Sequence, residues 1–555
     1  MRARIIILLL QAALLQFVSA ETQAPFRIGA LEQNRWRLDH VPHLNDTSNF
    51  IFETVNSLLQ HWPNTRYRNG HTIVPGTIPV GTLLYHGRRF PDVPKYPDWT
   101  SLDPEHSYHF CGSDFPQPRD SEEEEYREAQ TGCWHLTFSA TRPLRVLYFD
   151  GSSAANMITG TLDSQDLLIW GDADPKRWLD EGQRISGLCK WGKEFGIDGF
   201  VRMEMDFEVM VCDFENGLKL DSADFLASWY PRWEPPISSA HRSDVIESRI
   251  HDDADPLIVR QILGAEVLRA GMWHNRYPGD IRIQLDLSRA VSFYDIDLVP
   301  SLVAHRLASQ DRFEHRLINI SAADLHAVNL RLRSVLAEPP APSASGVDWK
   351  ALFHVPVARY SDRLELVSHL LQSRAEEALI HVQLRVMLTP YILHSAVPDG
   401  AHDGDAWAVP IWKKCATRHS DPIRQREDSL TPSERTLLAA LEGVNREICR
   451  VVVGMWALGV HAGLDPLIPG DPGADSINLV DSWRASLQNL MSWLDWSVWI
   501  KCRPACGAEE LCYLSTWPYF WSGLEEGSKP PPPDAPYLRP QPKCIRVVQP
   551  YSSFS

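Results

Sequence analysis

Residues 196–214 read GIDGFVRMEMDFEVMVCDF, and the reading of this stretch decides the fold. It alternates with the period of a strand. In one continuous strand Arg202, Glu204, Asp206 and Glu208 would share one side, and Phe207, Val209 and Val211 the other. A strand with an apolar side and a dense carboxylate side either faces water or lines a site. A bend at Met205-Asp206 divides the stretch into two strands, IDGFVRM and FEVMVCDF, with Glu208 near the start of the second, where it can face a cleft. Arg202, Glu204 and Asp206 then read as a turn or solvated edge, and Glu208 alone carries function.

Working outward, Ser164 to Phe195 holds a helix with Ile185, Leu188, Cys189 and Trp191 on its buried side. CWHLTFSATRPLRVLYF, 133–149, reads as two strands around a turn at Ala140 to Pro143. HTIV and GTLLYHGR, within 71–88, are short strands broken by Pro and Gly. Asp46-Thr47-Ser48 opens a helix through Phe50, Ile51, Val55, Leu58 and Leu59. Short strands mixed with a few helices make 47–220 an α+β domain, preceded by an N-terminal arm over 21–46. Residues 221–336 are a mixed extension, with helical patterns at 245–270 and 322–336 and a strand at 281–287. AEPPAPSASG, 337–346, is a linker. Residues 347–500 form a mostly helical domain, with an amphipathic run over 363–387 and a further helix over 482–500. Thr431-Pro432-Ser433-Glu434 is a capping box that starts a helix reaching toward Gly463. Residues 501–555 are a Cys/Pro-rich tail.

The formal net charge is −17, and no Lys/Arg run interrupts it, which disfavours nucleic acid as a partner. Arg2 and Arg4, the apolar run Ile5 to Val18 and the small residues Val18-Ser19-Ala20 read as a secretory signal peptide over 1–20. No later apolar segment reaches the roughly 18 residues of a membrane span. Ten cysteines in an oxidising compartment imply disulfides. The tail set Cys502, Cys506, Cys512 and Cys544 lacks the close pairs of common zinc sites, so bridges are favoured there and no metal is expected, with the connectivity open. Asn45 and Asn319 are glycosylation sequons. Glu122 to Glu125 read as a solvated insert.

Three places could carry chemistry. A carboxylate at Glu208, screened by Met210 and Cys212, would stabilise a developing positive charge on a sugar ring; the bland alternative is an exposed ladder pairing Arg202 with Glu204. His86 and Gly87 close an apolar strand, where the ring could donate to a hydroxyl and the glycine would let a ligand approach the main chain; the alternative is an ordinary hairpin histidine. Tyr108 could stack on a planar cationic ring or be a core residue.

In this order the three resemble the ADP-ribosyltransferase fold, in the His-Tyr-Glu class that includes poly-ADP-ribose polymerases. Leu83-Leu84-Tyr85-His86-Gly87 is similar to the first motif of that class, Trp99-Thr100-Ser101 with Ser107-Tyr108 to the second, and Glu208-Val209-Met210-Val211-Cys212-Asp213 to the third. CWHLTFSATRPLRVLYF is similar to its middle hairpin. The resemblance covers about residues 70–215 and implies a split β-sheet and NAD as substrate. His86 would hold a ribose hydroxyl, the Gly87 backbone the carboxamide, Tyr108 the nicotinamide ring, and Glu208 the ribose and the oxocarbenium; Tyr85, Trp99 and Ser107 would complete the NAD site. Arg88 stands where the class has Thr, and Trp99 where its triad tyrosine is expected. The tail LDWSVWIKCRPACGAEELCYLSTWPYF resembles uncharacterised secreted fungal proteins. The leading expectation is therefore a secreted NAD-cleaving enzyme, an ADP-ribosyltransferase or NAD glycohydrolase acting on an unknown acceptor. The second is a non-catalytic secreted binding protein that retains the fold. A glycosidase using Glu204 and Glu208 ranks last.

Overall fold

The computed structural model describes residues 36–43, 45–112, 133–226, 265–302, 311–337, 345–397, 405–468, 478–515, 540–548, 550 and 552. The signal peptide, most of the N-terminal arm, Glu122 to Glu125, most of the 245–270 helix, the centre of the 337–346 linker and the proline run of the tail lie outside them. The described chain forms two compact units. One draws on 36–42, Asp362–His419 and Asn445–Ser492, the other on His43–Ser361, Ser420–Val444 and Trp493–Ser555.

The larger unit begins with helix α1 (Ser48–Ser57), whose start the Asp46 carboxylate caps by accepting from Ser48 N at 2.8 Å, and the short turn α2 (Trp62–Thr65). Then come β1 (Thr72–Ile78), β2 (Leu83–Arg88), β3 (Asp98–Ser101) and the one-turn helix α3 (Pro104–Ser107). β4 (Trp134–Ala140), β5 (Leu144–Phe149), α4 (Asp163–Ile169) and α5 (Glu181–Gly192) follow. The quoted stretch supplies β6 (Gly199–Met203) and β7 (Phe207–Val211), and β8 (Leu218–Phe225) succeeds it. Two-residue strands β9 (Gln284–Leu285) and β10 (Val291–Ser292) and helix α6 (Ala322–Ala337) complete the core.

These strands form one mixed sheet in the order β10-β1-β5-β6-β7-β3-β2-β4-β8, with β9 also on β1. Only β5 and β6 run parallel among its neighbours. The architecture is α+β. Residues 133–149 do make two strands, but not a hairpin: β4 pairs with β2 and β8, and β5 with β1 and β6. Three residues join β4 to β5, so strands far apart in the order meet at that turn and the sheet curls. The curl encloses an apolar core of Val74, Leu84, Leu136, Phe138, Tyr148, Val201, Phe207 and Val209. The outer face carries a second core, Ile73, Trp99, Leu147, Phe149, Phe200 and Met210, which the apolar stripes of α5 (Ile185, Leu188) and α6 (Val328, Leu332) cover. A disulfide from Cys189 on α5 to Cys212 beyond β7 fastens that layer.

The smaller unit is helical. It contains residues 362 onward of α7 (Trp349–Gln372), then α8 (Glu377–Leu388), α9 (Val409–Thr417), residues 445 onward of α10 (Pro432–His461) and most of α11 (Leu479–Leu494). The 363–387 run is two helices, because Arg374 takes φ 55° and turns the chain. The capping box at α10 forms as read: Thr431 N donates to Glu434 Oε2 at 2.8 Å and Glu434 N to Thr431 Oγ1 at 3.1 Å. Trp412, Trp456 and Trp483 are fully buried, and Cys415 bridges Cys449. All ten cysteines are paired, the others as Cys111–Cys133, Cys502–Cys512 and Cys506–Cys544. The tail bridges tie the two strands of a short ladder, β11 (Glu510–Tyr513) and β12 (Lys543–Arg546), through the facing pair Cys512 and Cys544 to Cys502 and Cys506 before it. Among the described residues no helix is long and apolar enough to cross a membrane.

Candidate functional site

Residues 196–214 form a β-hairpin, with the bend at Met205-Asp206 that the sequence suggests. The charged row is not surface, however. Arg202 is 1% exposed, Asp206 0%, Glu208 3% and Glu204 8%. Folding back sets Arg202 directly opposite Glu208 on the outer face. Arg202 Nε donates to Glu208 Oε1 at 2.7 Å, Nη2 to Glu181 Oε2 at 2.6 Å and Nη1 to Gln165 Oε1 at 3.1 Å. Arg184 extends the network to Glu181 and, at 2.9 Å, to Asp166. The guanidinium thus pairs with Glu208 and not with Glu204, and the pair is buried between β6–β7 and helices α4 and α5. Burial pushes the Glu208 carboxyl up to about 7, against the pull of Arg202. Burial also raises Glu181, but Arg202 and Arg184 outweigh it and hold that carboxyl low.

The other residues singled out divide between the two faces of the sheet. Tyr85 pairs with Ser101, Ser101 with Glu208 and Trp99 with Met210, so Tyr85, Trp99 and Glu208 lie on the outer face. His86, one residue on, points into the curl beside Phe214, with ring centroids 5.8 Å apart. It is 2% exposed; its Nδ1 donates to the Trp99 carbonyl at 2.5 Å, and Nε2 lies 3.5 Å from Asp98. Burial lowers its pKa, with Asp98 opposing. Gly87 is needed for packing: a Cβ there would stand 2.1 Å from the Ser107 carbonyl. Helix α3 therefore fills the close approach that a ligand was expected to use. Ser107 is buried, its hydroxyl donating to Pro104 O at 2.7 Å. Trp99 is core. Tyr108 and Tyr85 are part-exposed and meet the same imidazole, His135, each at 5.6 Å between ring centroids. Burial raises both phenols. His86, Tyr108 and Glu208 do not converge on one cleft.

The hairpin turn reaches a second charged cluster that sequence reasoning missed. Glu204 accepts from His106 Nε2 at 2.6 Å. Burial alone would lower His106, but the hydrogen bond and charge of Glu204 outweigh it and hold the ring at about 9. Asp206 lies 3.2 Å from His274 Nδ1; Asp280 Oδ2 is 3.4 Å from His274 Nε2, and Asp103 Oδ2 is 3.7 Å from it. Arg282 donates to Asp103 Oδ1 and to Asp280 Oδ2, each at 2.7 Å. Burial opposes ionisation of Asp206, yet the bond and charge of His274 hold its carboxyl well below the usual range. Burial and the charge of Asp206 push Asp103 up to about 7. The one local signal was the pair Asp280-x-Arg282; nothing near His274 in sequence marks it.

The larger unit also holds an open cavity of about 890 Å³ between the α2 region, residues 272–277, α7 and the disulfide-bridged tail. Trp62, Trp273, Tyr277 and His354 present rings to it, with Tyr277 and His354 stacked at 3.7 Å. Asn56, Gln60 and Asn275 supply amides, and Arg66, Arg276 and Lys501 supply cations. None of its lining residues is a carboxylate, although the whole chain is acidic.

Fold and sites thus define an α+β protein with a curled mixed sheet, buried charge networks and an open cavity lined in part by the disulfide-bridged tail. Residues 37–133 and 114–228 match a family model described as the YPL277C N-terminal domain, which spans the strands β1 to β8. Two proteins of Saccharomyces cerevisiae are similar. Uncharacterized protein YOR389W is 23% identical over 539 residues, covering 87% of this chain and 83% of the relative. Uncharacterized protein YPL277C is 25% identical over 410 residues, covering 64% and 81%. No solved structure matches.

Proposed function

We propose that the protein is a secreted binding protein that takes an acidic carbohydrate in the 890 Å³ cavity, the second of the two functions expected from the sequence. The cavity carries the reading. Its volume falls in the range of small-molecule sites, roughly 300–1,000 Å³. Flat rings suit the apolar faces of sugars, amides suit hydroxyls, and Arg276 and Lys501 suit a carboxylate or phosphate. Arg66 is already paired, 2.9 Å from Asp495, and Lys501 too has an interaction of its own. The signal-peptide pattern at 1–20, the fully paired cysteines and the exposure of both sequon residues, Asn45 and Asn319, support an extracellular setting.

The NAD-cleaving alternative needs His86 and Glu208 to reach one substrate from opposite faces of the sheet, and needs a Glu208 carboxylate that Arg202 now occupies. Calorimetry with oligogalacturonate, a neutral malto-oligosaccharide and NAD separates the readings. Saturable binding of the acidic oligomer, weakened at least about tenfold in Trp273→Ala, is expected. Nicotinamide release that disappears in Glu208→Gln would restore the enzyme; a response to nucleotides alone would change the ligand class.

A further inference from the structure

We propose that Asp103, Asp206 and His274 hold a divalent metal ion of the zinc or manganese class, which ties the β6–β7 turn to the β3–α3 junction and to the 272–275 segment. One ligand atom from each residue lies within 4.8 Å of the other two, little more than twice a metal–oxygen bond of about 2.0–2.2 Å. His274 Nδ1 and Asp206 Oδ1, 3.2 Å apart, already have the separation of adjacent ligands on one small ion.

Proximity alone would describe many acidic clusters. Two further observations distinguish this one. Asp206 and His274 are fully buried and Asp103 is 7% exposed, yet Asp103 Oδ2 and Asp206 Oδ2 receive no hydrogen bond. Buried carboxylate oxygens without donors are costly unless a cation or a proton lies between them. Each of these groups is also held from behind. Arg282 grips the other oxygen of Asp103 at 2.7 Å, Phe207 N donates to Asp206 Oδ1 at 2.7 Å, and Arg282 Nη2 and Asp280 Oδ2 stand 3.3 Å and 3.4 Å from His274 Nε2. A carboxylate near the far nitrogen of an imidazole is a usual support of a metal-bound histidine; here it competes for that nitrogen with Arg282, which can only donate to it. Two oxygens and one imidazole nitrogen suit Zn²⁺ or Mn²⁺ better than Ca²⁺ or Cu⁺. The competing arrangement protonates Nδ1 toward Asp206 and shares one proton between the two carboxyls, with no ion.

The test uses the full chain, freed of metal with EDTA and then dialysed against limiting Zn²⁺ or Mn²⁺. Elemental analysis is expected to find a stoichiometric ion, and its return to raise the melting temperature by about 3–5 °C. Asp206→Asn and His274→Gln are each expected to lose both the ion and the shift. Failure of either variant to fold leaves the wild-type arm standing, because that arm needs no substitution. A wild-type protein that takes up no stoichiometric ion and melts identically with and without EDTA overturns the proposal, as does an Asp206→Asn variant that keeps the ion.

Discussion

The two ends of one hairpin carry two buried charge clusters that are built differently. At the strand end, Arg202 and Arg184 meet Glu208, Glu181, Asp166 and Gln165, and the guanidiniums reach every carboxylate in the group. At the turn end, Asp103 and Asp206 lie beside His274, and each keeps one oxygen, Oδ2, that no donor reaches. The first arrangement is closed. It needs nothing from outside and leaves no room for a substrate. The second is open, and its unmet acceptors are those that a ligand would satisfy. A buried carboxylate is therefore a weaker pointer to chemistry than a buried carboxylate with an unfilled lone pair.

Breaking the closed cluster should have the largest effect. Arg202→Met would leave Glu208 and Glu181 buried without their cation, and is expected to cost about 3–5 kcal/mol in urea denaturation. Adding Glu208→Gln should recover part of that loss. If Arg202→Met alone costs less than about 1 kcal/mol, the network is not closed in the way described.

A buried carboxylate outside both clusters gives an intermediate case. Glu53 accepts from Ser497 N at 2.8 Å and from its hydroxyl, while its other oxygen has no donor. Burial raises it from 4.5 to about 7. The folded state therefore binds more protons than the unfolded chain between those values. This contribution to stability is greatest below about pH 4.5, is lost as the pH rises through 7, and is flat above. Glu53→Gln should flatten the profile by on the order of 1–3 kcal/mol between pH 5 and pH 8. A wild-type slope unchanged by the substitution would remove Glu53 from the explanation.

The smallest effect is expected at the open end. In metal-free protein Asp206→Asn lets the new amide donate to the facing Asp103 oxygen, so the cost should stay near about 1 kcal/mol. A cost equal to that of Arg202→Met would mean that the two clusters do not differ as described.

Much of the layout was legible in the residues. The bend at Met205-Asp206, the strands through 72–88 and 134–149, the capping box before α10 and the presence of bridges, though not their connectivity, among the tail cysteines all follow from short-range rules of period, turn chemistry and redox setting. The positions of His86 and Glu208 were not legible. Their neighbours in sequence say only that each sits on a strand, whereas the register across β2, β3 and β7 decides that they point to opposite faces. Gly87 read as an opening for a ligand, and the packing of α3 fills that space.

By itself, then, the sequence determined the α+β class, the element boundaries at its strongest signals and the need for disulfides, because these depend on side-chain period and local backbone preference. Only the tertiary structure decided that the charged row of residues 202–208 is buried, that Arg202 belongs to Glu208, and that His274 meets Asp103 and Asp206. Those outcomes depend on which segments cover a face and which distant charges share a small volume of low dielectric. Neither is encoded within reach of a single strand.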